Sequence, residues 1–180
     1  MTQKEQIEIH LSKKKIRLHF FLAIMFVIIG ILYVINPSYF VSGILFGSPI
    51  VIFISGLASV LFFGIGLIVL LRKFSDKKAG LIINKQGIID NSSGVSAGLV
   101  LWSDIEEIIV SKVFGQKFLI IVVKNPQDYI IKVTHPLKRK TMEANYRMTG
   151  SPISISENIL KTNFDNLYKL LIEKMKEYRL

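Results

Sequence analysis

From Leu18 to Leu71 the chain carries no Asp, Glu, Lys or Arg, whereas the sequence on either side is charged in the ordinary way. Two apolar runs fill that stretch, Leu18 to about Asn36 and Ile50 to Leu71. A helix needs about 20 mostly apolar residues to cross a hydrocarbon core of ~30 Å, and both runs meet that length. Only a backbone that satisfies its own hydrogen bonds is stable in lipid, so both runs are expected to be helices despite their β-branched content. The connector, residues 37–49, holds Pro37, Gly43, Gly47 and Pro49, which break helices, and Tyr39, Phe40 and Phe46, which suit an interface. Ser55, Gly56, Ser59, Gly64 and Gly66 set small residues along the second run. Small residues let helices approach closely in lipid. The expected partner is the first run near Ala23 or Gly30, or a second copy of the chain.

Beyond Arg72 the pattern changes to short strands and then amphipathic helices. Gly80–Ile83 and Ile88–Asp90 flank Asn84-Lys85-Gln86-Gly87, a hairpin in which Gly87 is expected to take positive φ in a type I turn with a G1 bulge. Val95–Leu101, Ile105–Val113 and Phe118–Val123 are the next strands, and the last is apolar enough to be central. Pro126 with Asp128 signals a helix start. The helical stretch runs to Tyr146, is broken at Pro136, and gives way to a final strand at Ser151–Ile155. Thr162 or Asn163 caps the last helix, whose Phe164, Leu167, Leu171, Met175 and Tyr178 lie on one face with Leu170. At the other end of the chain, Ile7-Glu8-Ile9-His10-Leu11 alternates with period two and is expected to pair with an edge of the sheet. The expected organisation is an N-terminal segment 1–17, spans 18–36 and 50–71 joined by the connector 37–49, and a β-rich domain 72–180.

Charge orients this arrangement. Lys13, Lys14, Lys15 and Arg17 precede the first run, Arg72, Lys73, Lys77 and Lys78 follow the second, and the connector has no basic residue. The positive-inside rule then predicts a multi-pass protein of the cytoplasmic (inner) membrane with both termini cytoplasmic and these eight residues as topology determinants. The first run is longer than a signal-peptide core and no small-residue cleavage site follows it, so it is read as a retained span. The formal net charge is +10. In a membrane-tethered chain that balance points to a membrane surface rather than to nucleic acid, because the charge is dispersed and not interleaved with aromatics.

The sequence offers little catalytic chemistry. There is no cysteine, which excludes disulfides and thiolate chemistry. The three histidines, His10, His19 and His135, are too scattered to pair as metal ligands. No nucleophile elbow or phosphate loop is present. Glu106 and Glu107 point to opposite faces of a strand and so make a poor acid–base pair. No catalytic residue, cofactor or metal is expected. One basic group stands out: Lys132, Lys138, Arg139, Lys140 and Arg147 lie in the helical insertion with only Asp128 and Glu143 opposing them. They are the candidate contacts for anionic lipid or an acidic partner.

Leu81-Ile82-Ile83-Asn84, Gly87-Ile88-Ile89-Asp90, Leu101-Trp102-Ser103-Asp104-Ile105, Phe118–Val123, Lys124-Asn125-Pro126, Gly150–Ile155 and Asn163–Leu167 together resemble a family of small bacterial two-span membrane proteins. In that family a cytoplasmic pleckstrin-homology-like domain follows the spans. The resemblance covers nearly the whole chain, and the helical insertion before the final strand departs from a minimal domain of this kind. It implies an α+β membrane protein: a two-helix transmembrane hairpin, then a PH-like antiparallel sheet or barrel closed by an amphipathic C-terminal helix. It implies no activity. The expected role is a non-catalytic binding or scaffold module at the inner leaflet, with anionic lipid, an unknown protein partner or further copies of itself as candidate partners. The alternatives are an immunity-type protein that neutralises a toxin and an accessory subunit of a transporter or envelope enzyme. Trp102 is expected to serve core packing.

Overall fold

The computed structural model describes residues 6–41, 47–113 and 115–178. The chain is α+β and divides into two compact units: Lys13–Asp76, and a unit that joins the segment ending at Ser12 to the chain from Lys77 onward.

The first unit is a helical hairpin of α1 (Lys13–Ile35) and α2 (Pro49–Ser75). Both helices outrun the apolar stretches: α1 begins five residues before Leu18 and α2 ends four residues after Leu71. Lys13, Lys14, Lys15 and Arg17 therefore occupy the first turns of α1, Arg72 and Lys73 the last turn of α2, and Lys77 and Lys78 lie beyond it. A short 3₁₀ turn, Pro37–Phe40, leaves α1, and the interior of the connector, including Phe46, lies outside the described residues. The helices pack antiparallel, with Phe26 stacked on Phe63 at 4.5 Å and Gly30 against Gly56. Ser59 Oγ donates to the Phe26 carbonyl across the pair at 3.0 Å. Gly30 and Gly56 thus use the close approach expected of small residues, whereas a Cβ at Gly64 or Gly66 would meet nothing within 4 Å. Each helix is long and apolar enough to cross a membrane, and only 11% and 6% of their apolar windows are buried.

The described part of the second unit holds seven strands in two antiparallel sheets. The first runs in the order β1 (Ile7–Ile9), β2 (Leu81–Ile83), β3 (Gly87–Asp90), β4 (Gly98–Leu101). The second is β5 (Ile105–Val113), β6 (Gln116–Val123), β7 (Ser154–Ile155), with the apolar β6 in the centre. Helices α3 (Pro126–Ile131) and α4 (Pro136–Thr149) lie between β6 and β7 in sequence, and α5 (Phe164–Tyr178) follows.

The N-terminal strand is held on two sides. Ile7 pairs with Ile83 and Ile9 with Leu81. Beyond β1, Leu11 bridges Leu160, Lys161 N–H donates to the His10 carbonyl at 2.9 Å, and Ser12 N–H donates to the Ile159 carbonyl at 2.7 Å. The helical hairpin is therefore an insertion between two adjacent strands of one sheet. Leu11, Leu81, Ile83, Ile88, Ile105, Leu119, Ile121, Ile155 and Leu160 are among the buried core, with Leu167 and Leu171 of α5. Asn163, rather than Thr162, caps α5: its Oδ1 accepts from Asn166 N–H at 2.9 Å.

Three sequence expectations are corrected. Gly87 has no positive φ; positive φ among the described glycines occurs at Gly98, Gly115 and Gly150. Gly87 is needed instead because a Cβ there would stand 1.9 Å from the Val100 carbonyl oxygen. The hairpin turn is closed by Asn84, whose Oδ1 accepts from Gln86 N–H and Gly87 N–H at 2.9 and 3.2 Å. The strand expected from Val95 starts only at Gly98, because Ser96 bonds the Asp90 carbonyl and keeps the chain in a loop. A bulge between Ile105 and Glu107 breaks the alternation of β5, so Glu106 and Glu107 are both exposed.

Candidate functional site

The basic insertion is built by two prolines and an arginine. Pro126 at the first turn of α3 lacks the N–H that a helix start would leave unbonded, and Asn125 Nδ2 holds Asp128 Oδ2 at 3.0 Å. Pro136 opens α4 in the same way. Between them the chain turns, and the last carbonyls of α3 lose their helical donors. The Arg139 guanidinium supplies replacements: Nη2 donates to the Ile131 carbonyl at 3.2 Å and Nε to the Val133 carbonyl at 3.3 Å. At its far end α4 stops at Gly150, whose left-handed φ of +79° lets its N–H reach the Tyr146 carbonyl at 2.9 Å.

The five basic residues proposed from sequence separate into different roles. Arg139 closes the α3–α4 corner. The Lys132 ammonium sits 5.3 Å from the centre of the Tyr129 ring. Arg147 makes a loose i,i+4 pair with Glu143 at 4.0 Å, the arginine well exposed and the glutamate half-buried. Lys138 is half-buried, Lys140 is exposed, and neither forms a hydrogen bond or ion pair among the described residues. Lys132, Lys140 and Arg147 are each exposed.

Sequence reasoning missed the apolar residues beside them. Ile131, Leu137 and Met148 are 65%, 63% and 67% exposed. The helical spacing of Leu137 and Met148 would equally suit a buried face; in the structure Met142 takes the inward position instead, fully buried. A shallow apolar depression lies beside Met148, between Asn145 and Thr149 of α4 and Val113, Phe118 and Ser154 of the sheet. Its volume is about 100 Å³, well below the ~300 Å³ at which small-molecule pockets begin.

The polar cluster around Trp102 is structural. Trp102 is buried, its indole N–H donates to the Asn84 carbonyl at 2.8 Å, and its ring lies 6.1 Å from that of Tyr178. The Tyr129 hydroxyl donates to Asp104 Oδ2 at 2.7 Å and accepts a long bond from Leu101 N–H at 3.4 Å. This ties α3 to the turn between β4 and β5. Burial, then the bond to the Asp104 carboxylate, pushes the Tyr129 phenol up to about 12. The buried Asp90 carboxylate accepts from both the N–H and the hydroxyl of Ser92, at 2.7 and 2.6 Å. Its bonds hold a loop. Among the described residues no group of three His, Asp or Glu side chains gathers to hold a metal.

The basic residues flanking the hairpin converge at one end of it. The Lys13 ammonium donates to the carbonyls of Phe74 and of Asp76, the latter at 3.1 Å, and lies 5.2 Å from the Phe74 ring centre. A cation on the C-terminal carbonyls of α2 is favourable with the helix dipole. Lys14, Lys15 and Arg17 share the opening turns of α1, and Arg72 and Lys73 the last turn of α2.

No family model, no curated protein and no solved structure matches this chain.

Proposed function

We propose that the chain is an integral membrane protein of the cytoplasmic membrane. Its helical hairpin spans the bilayer twice with both ends cytoplasmic, and its β-rich unit is a non-catalytic pleckstrin-homology-like binding module at the inner leaflet. The observation that carries this reading is the insertion of two unburied, all-round apolar helices between the adjacent strands β1 and β2. A soluble protein would leave that apolar surface in water, at about 25 cal/mol per Å². The gathering of Lys13, Lys14, Lys15, Arg17, Arg72 and Lys73 at one end of the hairpin, against none in residues 37–49, supports cytoplasmic ends. A small antiparallel β unit followed by an amphipathic C-terminal helix is the plan of a PH-like domain. This step is analogy at the level of fold, and such folds host many roles. A non-catalytic role is supported by the fate of the polar clusters, since Asp90, Asp104 and Tyr129 spend their hydrogen bonds on loops and turns.

The chain has no cysteine, which makes the test direct. Ser38→Cys in the connector should react with a membrane-impermeant maleimide in intact cells. Lys78→Cys should react only after permeabilisation, and the protein should resist alkaline extraction. Release at alkaline pH, or labelling of Lys78→Cys in intact cells, would reject the topology. Crosslinking in cells that captured one stoichiometric protein partner would favour the immunity-type or accessory-subunit role over a lipid-surface module.

A further inference from the structure

We propose that the outward face of α4 lies on an anionic bilayer surface, with Leu137 and Met148 entering the interface and Lys140 and Arg147 on the phosphates. This rests on the membrane reading above and names the occupant of the module's exposed insertion. On a helix of 100° per residue, Leu137, Ala144 and Met148 fall within a narrow stripe, and Lys140 and Arg147 fall together along one edge of it. Leu137 and Met148 are the most exposed apolar side chains of α4, and Ala144, Lys140 and Arg147 are exposed with them. The opposite side of the helix is inward, carrying the buried Met142. Exposed Ile131 and Lys132 repeat the same pairing of apolar and basic side chains at the end of α3.

Neither chemistry alone would specify a membrane. Lysines without apolar neighbours suit any acid, and exposed apolar residues without charge suit any greasy surface. An apolar stripe edged by cations is the pattern of a helix lying in the headgroup plane of an anionic leaflet. The one acidic residue of α4 is the half-buried Glu143, which lies 4.0 Å from Arg147. Met148 also borders the shallow depression, whose volume of about 100 Å³ is below that of a small-molecule pocket.

The test uses the full chain in proteoliposomes, with an environment-sensitive fluorophore on single cysteines at Leu137→Cys, Met148→Cys and, as control, Glu173→Cys on α5. All three positions are exposed, so the label need not disturb the core. In phosphatidylcholine mixed with phosphatidylglycerol, the labels at 137 and 148 should blue-shift and be quenched by lipids brominated on the acyl chain, and the control should not. In phosphatidylcholine alone the effect should weaken. Each basic residue near an anionic surface contributes about 1 kcal/mol, so K140A with R147A should lower the docked-to-free ratio about 30-fold. Labels at 137 and 148 that stay fully water-exposed in the anionic vesicles would overturn the proposal. So would quenching that ignores both lipid charge and the double substitution. Occlusion of these positions in cells but not in vesicles would assign the face to a protein partner and equally overturn it. Alkaline washing and flotation of the same vesicles reports the anchor separately: retained protein with exposed labels sinks only the α4 proposal, and released protein sinks the membrane reading itself.

Discussion

Gly30 and Gly56 meet backbone to backbone: a Cβ on Gly56 would stand 2.7 Å from the Gly30 carbonyl oxygen, and one on Gly30 would stand 2.9 Å from that of Gly56. A methyl group at either position would press on the facing carbonyl, on the Cβ of Tyr33 or Ser59 and on a methyl of Val34 or Val60, and because the nearest of these are backbone and Cβ atoms the helices must separate. Gly56→Ala is expected to destabilise the hairpin by about 1–3 kcal/mol, the usual cost of overpacking. Gly64→Ala, with nothing within 4 Å, should be neutral. Thermal unfolding of the two variants in one detergent compares them directly, and equal melting temperatures would refute the close crossing.

The N-terminal strand belongs to the β-rich unit although the hairpin separates them in sequence. Leu11→Ala should cost about 2–5 kcal/mol, because Leu11 is buried beside its bridge partner Leu160. Deleting residues 1–11 should open the edge of β2 and make the unit sensitive to protease. Limited proteolysis of the deletion in membranes is the check, and unchanged resistance would show that β1 is dispensable.

Gly87 and Gly98 should respond differently to alanine. At Gly87 the new methyl would strike the Val100 carbonyl carbon and oxygen, so the hairpin β2–β3 must pull away from β4. At Gly98 there is open space, and the cost is only that of a left-handed φ of +74°, about 1–2 kcal/mol. Gly87→Ala is therefore expected to be the more damaging substitution by denaturant titration.

The burial of the Tyr129 phenol, with its bond to Asp104, makes stability fall at high pH. The folded phenol titrates near 12 against about 10 when unfolded, so the folded chain holds a proton that the unfolded chain has lost. Its contribution is complete below pH 10 and disappears as pH rises from about 10 to 12, a change on the order of 2 kcal/mol. Tyr129→Phe should remove this dependence. Asp104→Asn should move the phenol back toward 10, read by tyrosinate absorbance.

Much of this was legible because it depends on local pattern. The two long apolar helices follow from charge-free apolar runs, β1 from the alternation of Ile7, Ile9 and Leu11, and the α3–α4 break from Pro136. What was not legible depends on partners distant in sequence. The role of Gly87 lies in the nearness of Val100, not in its own turn. Tyr129 finds Asp104 only once α3 has folded against the β4–β5 turn. Leu137, Met142 and Met148 all read as apolar helix positions, and only tertiary packing decides that Met142 goes inward and the other two outward. The basic cluster was visible as charge, but the use of Arg139 to close the corner at Ile131 and Val133 was not.

The placement of α1 and α2 between hydrogen-bonded strands has a consequence for biogenesis. β1 is made before the hairpin, and its partner β2 is made only after it. In the proposed topology, a chain that threaded only one helix would strand β1 and β2 on opposite sides of the bilayer. Its Leu81–Ile83 edge would then stay bare and apolar, the kind of strand that proteins otherwise cover. In that topology the first sheet closes only when both helices have crossed, because only then do β1 and β2 lie on the same side.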